Sequence, residues 1–121
     1  MKYVYVVAVA LTIFVSAAFA ATHDVSIVGF AFVPPAVNID VGDTVKWTNN
    51  DTPPHTSTSD TAVWDSGTLN NGDTFEFTFN TADTYPYHCD FHPSMVGTVI
   101  VGATGIESSS LGELKAIFAD E

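Results

Sequence analysis

Thr74-Phe75-Glu76-Phe77-Thr78-Phe79 (TFEFTF, residues 74–79) indicates the fold most clearly, because polar and apolar side chains alternate along it. Successive side chains of a β-strand point to opposite faces, so a strand here presents three phenylalanines on one face and Thr, Glu and Thr on the other. An apolar strand face must pack against a second layer. The stretch therefore predicts one strand of a layered β-protein.

The same period of two recurs on both sides of this stretch. It predicts further strands at 23–27, 36–41, 44–48 and 96–101. Between them lie turn sequences rich in Pro, Gly, Asn and Asp, namely Pro34-Pro35, Gly42-Asp43, Asn49-Asn50-Asp51 and Asn70-Asn71-Gly72-Asp73. No long helical pattern competes between residues 22 and 102. We therefore predict an all-β sandwich over this part of the chain.

The first twenty residues have the features of a signal peptide. Lys2 precedes an apolar run over residues 3–17, and Ala18-Phe19-Ala20 has the small-x-small pattern of a cleavage site. The apolar run is short for a membrane span. We predict a signal peptide over residues 1–20 and an exported protein, periplasmic or otherwise extracytoplasmic. A retained N-terminal segment is the alternative, and only then would the protein be attached to a membrane.

The last residues, 103–121, form a tail of different composition. After a connector at 103–109, Ser110-Leu111-Gly112-Glu113 has the form of a capping box. An apolar helical face follows, made of Leu111, Leu114, Ile117 and Phe118. The tail therefore predicts a short C-terminal helix that docks on its own domain; a subunit contact in an oligomer and a disordered tail are the alternatives. Residues 21–102 remain as one domain.

Charge excludes one class of function. The chain has 14 acidic residues, three lysines and no arginine, with a formal net charge of −11. Binding to nucleic acid is excluded in practice, since contacts to phosphate need cationic side chains. The acidic surface keeps the domain soluble and favours an encounter with a basic partner.

The motif that carries chemistry surrounds the single cysteine, Cys89. In an oxidising compartment a lone thiol without a disulfide partner is a liability unless something occupies it. His92 and Met95 follow at the spacing C-x2-H-x2-M, and His55, after Pro53-Pro54, offers a second imidazole. Thiolate, thioether and imidazole together suit copper. Zinc is the weaker alternative, because structural zinc sites are built from Cys and His and rarely use methionine.

Three stretches resemble the cupredoxins, the type 1 blue copper proteins that include plastocyanin and amicyanin. They are Val41–Trp47 (VGDTVKW), Asn49–His55 (NNDTPPH) and Tyr87–Gly97 (YHCDFHPSMVG), and the likeness covers residues 23–102. The resemblance implies a Greek-key β-sandwich or barrel that holds one type 1 copper ion. It also implies His55, Cys89 and His92 as equatorial ligands and Met95 as the weak axial ligand.

The resemblance further implies how the site is tuned and approached. Many cupredoxins have asparagine after the first histidine, where it ties the two ligand loops together, whereas this chain has Thr56. The ring edge of His92 would lie near the surface, where redox partner proteins dock. Asp51 and Asp90 lie in the same two loops and would select a basic partner. An apolar rim is expected around His92, made of Pro53, Pro54, Phe91 and Pro93.

Two functions follow, and Met95 distinguishes them. If its thioether binds, the copper is saturated and the protein is a one-electron carrier. If the axial position is open, a small molecule such as nitric oxide gains access, and the protein is a redox enzyme. Copper storage or delivery is a third hypothesis, and it requires copper that exchanges readily.

Two histidines lie outside this ligand set. His88 is next to Cys89, so on a strand it points to the opposite face, and we interpret it as a surface or hydrogen-bonded residue. The alternative is a second copper at a subunit boundary, as in copper nitrite reductases, for which only His23 is spare. Cleavage behind Ala20 would leave Ala21-Thr22-His23 at the amino terminus. That sequence can chelate Cu²⁺ or Ni²⁺ in a square plane, although a role within the first strand is the favoured interpretation for His23.

Overall fold

The computed structural model describes residues 19–103, which form eight β-strands and no helix. The strands are β1 (Thr22–Val28), β2 (Ala31–Val33), β3 (Ala36–Asp40), β4 (Thr44–Asn49), β5 (Thr58–Ser59), β6 (Thr74–Thr78), β7 (Asp83–Cys89) and β8 (His92–Gly102). Within residues 19–103 nothing forms an apolar helix of the length that crosses a membrane. The predicted C-terminal helix and nearly all of the predicted signal peptide lie outside the described residues.

Two four-stranded sheets make up the structure, with strand orders β2-β1-β4-β6 and β3-β8-β7-β5. β1 pairs with β4 in parallel, and β3 pairs with β8 in parallel. The other neighbouring strands are antiparallel. The predicted all-β sandwich is therefore confirmed.

Aromatic side chains fill the space between the sheets. Every second residue of β4 is buried, including Trp47, whose ring stacks on Trp64 with centroids 5.5 Å apart. The Tyr87 ring of β7 meets Trp47 edge-on at 5.5 Å, and Phe79 meets Trp64 edge-on at 5.2 Å. Offset and edge-to-face contacts of this kind add about 0.5–1.5 kcal/mol each to the gain from burial. The alternation that predicts the strands thus also supplies the core.

The stretch at 74–79 departs from its prediction at its last residue. β6 ends at Thr78, while Phe79 is buried and Phe75 and Phe77 are only partly buried. The Phe79 N–H donates to the Asp43 carbonyl at 2.9 Å. Backbone pairing thus continues past the last strand residue into the turn before β4, and the Phe79 side chain lies in the core on the same face as Phe75 and Phe77.

Alternation alone does not identify β7, because Pro86 stands in its middle. In the structure the Pro86 carbonyl accepts a hydrogen bond from the Asp60 N–H at 3.0 Å. The carbonyl and nitrogen of one strand residue point to the same side, so the missing N–H of Pro86 faces the short strand β5. Pairing between β7 and β8 loses no hydrogen bond there, and the strand tolerates proline.

The parallel pair β1 and β4 defines the two ends of the sandwich. At one end Thr22 lies opposite Thr44, and at the other Ile27 lies opposite Asn49. The second end carries the β1–β2 turn and the loop after β4. Both loops are joined there by the Asn50 N–H, which donates to the Ile27 carbonyl at 2.8 Å.

Close packing at Gly97 gives a test of the β7–β8 interface. A Cβ atom at this position would lie 2.5 Å from Tyr87 Oη, whereas a Cβ at Gly102 meets nothing closer than 3.8 Å. Tyr87 is fully buried, so its ring has little room to move. We expect Gly97→Ala to lower the free energy of unfolding by about 1–3 kcal/mol, measured by denaturant titration. Gly102→Ala is the matched control and should change it by less than about 0.5 kcal/mol. Equal stability of the two variants would contradict the packing described.

Candidate metal centre

Asn49, the last residue of β4, shapes the loop that follows. Its side chain is buried, and its amide donates to the carbonyls of Pro53 at 3.0 Å and Leu69 at 2.7 Å. Its Oδ1 accepts the N–H of Asp51 at 2.8 Å. Leu69 in turn exchanges two backbone hydrogen bonds with His55, at 3.0 and 2.8 Å. A residue that the sequence marks only as part of a turn thus fixes the approach to His55.

Asp51 orients the His55 ring. His55 is fully buried, and its Nε2 lies 3.0 Å from Asp51 Oδ2. The backbone N–H groups of Phe30 and Gly29 each donate to Asp51 at 2.9 Å and hold the pKa of this carboxyl below its usual value. An ionised carboxylate accepts from Nε2–H, which leaves the lone pair on Nδ1. The second ring nitrogen is therefore available as a ligand.

This role differs from the one expected for Asp51. The resemblance placed it among the surface charges that select a partner. In the structure its side chain is only 13% exposed, and both of its oxygens accept hydrogen bonds. Asp51 supports the site, and its carboxylate holds the His55 ring through a hydrogen bond.

Three donor atoms converge where β7 turns into β8. Cys89 ends β7, His92 begins β8, and Asp90 and Phe91 form the turn between them. Cys89 Sγ lies 3.7 Å from His55 Nδ1 and 3.7 Å from His92 Nδ1. All three ligand atoms lie within 4.8 Å of one another, and within residues 19–103 no other set of three or more His, Cys, Asp or Glu side chains forms such a group.

The spacing of these donors fits a metal ion. Bonds from a metal to imidazole and thiolate are about 2.0–2.3 Å long, so donors around a trigonal ion lie about 3.7 Å apart. Cys89 is fully buried and His55 equally so, while His92 is half-buried. Two imidazoles and a thiolate in this arrangement are the donor set of a trigonal copper site.

Met95 lies in β8, three residues after His92, and its side chain is buried. The strand alternates from this point, so Met95 faces the interior with Gly97 and Val99. Its place after His92 and its inward direction agree with the axial position expected for it. Its bond to the metal stays a prediction.

Thr56 joins the two ligand loops. Its backbone N–H donates to Cys89 Sγ at 3.4 Å, and its Oγ1 accepts the Asp90 N–H at 2.9 Å. The hydroxyl thus makes the connection for which many cupredoxins use asparagine. Hydrogen bonds to a ligand sulfur set the redox properties of such a site, so Thr56 acts on the thiolate as well as on the loops.

Phe30 belongs to the site although no pattern in the sequence marks it. Its ring meets the His55 and His92 rings edge-on, with centroids 5.5 and 5.0 Å away, and 54% of its surface is exposed. Gly29 and Phe30 both have positive φ, at 61° and 56°, so the β1–β2 turn is left-handed at two successive residues. That conformation is uncommon for a bulky side chain and needs support from its surroundings. The two hydrogen bonds to Asp51 supply that support.

The four residues expected to form an apolar rim around His92 differ in exposure. Phe91 is 50% exposed, and Pro54 and Pro93 are exposed, while Pro53 is half-buried. Phe30 adds a second exposed aromatic ring beside His92. An exposed apolar ring is therefore in direct contact with His92.

His88 lies apart from the three donors. Its ring nitrogens bond to Asp60 and to Asp90, and these carboxylates raise its pKa above the usual value. Its interpretation as a hydrogen-bonded strand histidine agrees with these contacts. No second metal-binding group that includes His88 occurs among residues 19–103.

Comparisons with known proteins agree with this geometry. The model of a family described as copper binding proteins, plastocyanin/azurin family, matches residues 19–102. The chain is 34% identical over 82 residues to amicyanin of Paracoccus denitrificans, which covers 64% of this chain and 63% of that amicyanin, less than two thirds of its length. It is 33% identical over 87 residues to amicyanin-alpha of Methylorubrum extorquens, which covers 68% of this chain and 73% of that protein.

Solved structures give the same result. The reduced state of an amicyanin mutant superposes with a TM-score of 0.64 at 31% identity, covering 67% of this chain and 82% of that one. A purple cupredoxin from Nitrosopumilus maritimus superposes with a TM-score of 0.63 at 35% identity, covering 66% of this chain and 99% of that one.

The Thr56 hydroxyl gives a test of how the ligand loops are joined. Thr56→Val keeps the shape and the N–H to sulfur but removes the acceptor for the Asp90 N–H. We expect it to lower the free energy of unfolding by about 1–3 kcal/mol, because a partly buried donor loses its partner. Thr56→Ser keeps the acceptor and serves as the matched control. If the valine and serine variants unfold at the same denaturant concentration, the hydroxyl does not tie the loops.

Proposed function

This chain belongs to the plastocyanin/azurin family of copper-binding proteins, and from that premise we propose that it is an exported carrier of single electrons between redox partners. Membership confirms the resemblance to cupredoxins and the predicted copper cofactor. The observation that supports the proposal most is the triangle of donors, in which Cys89 Sγ lies 3.7 Å from Nδ1 of His55 and of His92. Bound copper would supply a one-electron couple between Cu⁺ and Cu²⁺.

We assign the ligands as predicted from the sequence. His55 Nδ1, Cys89 Sγ and His92 Nδ1 form the trigonal plane, and Met95 supplies a weak axial thioether. A buried thiolate beside two imidazoles holds its metal tightly, which argues against the storage and delivery hypothesis. The donors come from the loop after β4, from the end of β7 and from the first residues of β8.

Fixed donors are what electron transfer requires. A carrier works fast when its ligands keep their positions in both oxidation states, because little has to reorganise. Here Asp51 holds the His55 ring from behind, and Thr56 ties Cys89 to the loop of His55. Asn49 fixes the same loop from below through its buried amide. The residues around the donors therefore hold the donors in place.

The exit for the electron is His92. Its ring is half-buried and meets the exposed ring of Phe30 edge-on, and the preceding residue in the chain, Phe91, is also exposed. Apolar patches of this kind suit brief docking, and they occur at weak redox contacts. We propose that redox partners dock at this patch. The net charge of −11 favours a partner with a basic surface, since opposite charges speed the encounter.

The alternative function is redox chemistry on a small molecule such as nitric oxide at an open axial position. The buried, inward-facing side chain of Met95 favours the carrier. One structurally similar protein is a purple cupredoxin, so colour is the property to measure first. Export remains part of the proposal and depends on the sequence of residues 1–20.

Removal of the thiolate tests the ligand assignment. We expect Cys89→Ser to abolish the strong visible absorption of the copper-loaded protein, because that band needs a bond between copper and sulfur. Ser94→Ala, an exposed position of the same hairpin, is the control and should keep the colour. Circular dichroism checks that both variants fold. Strong colour in folded Cys89→Ser would overturn the assignment.

Addition of an external ligand separates carrier from enzyme. We expect azide to leave the visible and electron paramagnetic spectra of the wild-type copper protein unchanged, because the Met95 thioether closes the axial position. Met95→Ala opens that position, and its spectra should shift on addition of azide. A shift of similar size in the wild-type protein would instead support the enzyme.

A further inference from the structure

The carboxylate of Asp43, in the turn between β3 and β4, is a buried anion at the opposite end of the β1–β4 pair from the loop that carries His55. It accepts hydrogen bonds from the Ala21 N–H at 2.9 Å, from His23 Nε2 at 2.9 Å and from the Asp40 N–H at 3.0 Å. Its side chain is 7% exposed. Burial opposes its ionisation, but these hydrogen bonds outweigh burial and hold the pKa of Asp43 below its usual value. Asp43 is therefore a fixed, nearly buried negative charge.

This charge lacks a permanent positive partner among residues 19–103. Lys46 is the sole lysine in that range, and the salt bridges there are all formed by histidines, that of Asp43 by His23. A buried carboxylate gains most from a cation that also donates hydrogen bonds. The atom already in the right place is the backbone nitrogen of Ala21.

Ala21 is also the first residue after the predicted cleavage site. Ala18-Phe19-Ala20 has the pattern that precedes cleavage, and Phe19 is 90% exposed, so it packs on nothing among the described residues. Hydrolysis of the Ala20–Ala21 peptide bond by a signal peptidase consumes one water. It leaves a carboxylate on Ala20 and an ammonium group on Ala21.

We propose that Asp43 is the receptor for the amino terminus that this processing creates. The new ammonium group lies on the Asp43 carboxylate and replaces a neutral N–H with a charged donor. The Ala21 carbonyl is already held by the Thr44 N–H at 2.9 Å, so Ala21 is bound through both of its backbone groups. We call this ion pair between the Ala21 ammonium group and the Asp43 carboxylate the latch. It fixes the start of the parallel pair β1 and β4 after cleavage. This inference rests on the export included in the proposed function.

The same contacts occupy the chelating amino terminus that the sequence suggests. A square-planar Cu²⁺ or Ni²⁺ complex of Ala21-Thr22-His23 needs the terminal nitrogen and the His23 ring. The Ala21 nitrogen and the His23 Nε2 are both hydrogen-bonded to Asp43, and Thr22 and His23 are paired with β4. A metal ion that binds there would have to break the latch. The structure therefore favours a place in the first strand for His23 over a role in metal chelation.

A thermodynamic cycle tests the latch. Two chains are compared, one beginning at Ala21 and one retaining Phe19-Ala20, each with Asp43 and with Asp43→Asn. With Asp43 present, we expect the chain that begins at Ala21 to melt about 4–8 °C higher than the extended chain. With Asp43→Asn the difference should vanish. A difference of the same size in both backgrounds, or none with Asp43, would overturn the proposal.

Two further measurements keep the result clear. Asp24→Asn removes an exposed charge from β1 and should leave the difference between the two chains intact. If Asp43→Asn does not fold, titration of the α-amino group of the wild-type mature chain by NMR decides. Its pKa should lie above the reference of about 7.7–8.0, with His23 and Asp40 as the neighbouring titratable groups, and a value at or below the reference contradicts the ion pair. The colour of the copper site is recorded in each chain, since its loss would count against the proposed function and not against the latch.

Discussion

The position of the Asp51 carboxylate is the constraint on which the rest of the centre depends. Two backbone N–H groups of the β1–β2 turn hold one side of it, and the buried His55 ring holds the other. Because a carboxylate with these donors stays ionised, the imidazole proton remains on Nε2 and Nδ1 turns towards Cys89. Without Asp51 the Nε2 atom of this buried ring would lose the hydrogen bond that sets its proton and helps to set its direction. The arrangement of the three donor atoms therefore depends on the hydrogen bond between His55 Nε2 and Asp51 Oδ2.

Two carboxylates organise the parallel pair β1 and β4, one at each end, that of Asp43 buried and that of Asp51 partly buried. Asp43 gathers the start of β1, and Asp51 gathers the turn that follows it. Each carboxylate is satisfied by backbone N–H groups and one histidine, so both ends of the pair are held by the same chemistry. Between them the aromatic core around Trp47 fixes the spacing of the sheets. The candidate copper centre thus lies at one end of a strand pair that is held by hydrogen bonds at both ends.

The sequence predicts the fold class and the donors well because both leave local patterns. Alternation identifies five of the strands within one or two residues at most ends, although β8 begins four residues before its prediction, and the C-x2-H-x2-M spacing identifies one hairpin. The residues that hold the donors in place leave no such local pattern in the sequence. Asp51 meets residues 21 and 22 positions away, and Thr56 meets Asp90 across 34. Phe30 reads as an ordinary turn residue until the fold brings it against two imidazoles. Pro86 has the opposite effect, because it argues locally against a strand that does form. Proline is rare inside a sheet, but the missing N–H of Pro86 faces the short strand β5, so β7 tolerates it.

The turn at Gly29 and Phe30 has two duties that are usually separate. Its side chain covers the edges of two ligand rings, and its backbone anchors Asp51. A change at Phe30 therefore reaches the site by two routes. One runs through its ring, which lies against the His55 and His92 rings, and the other through its backbone N–H, which donates to Asp51.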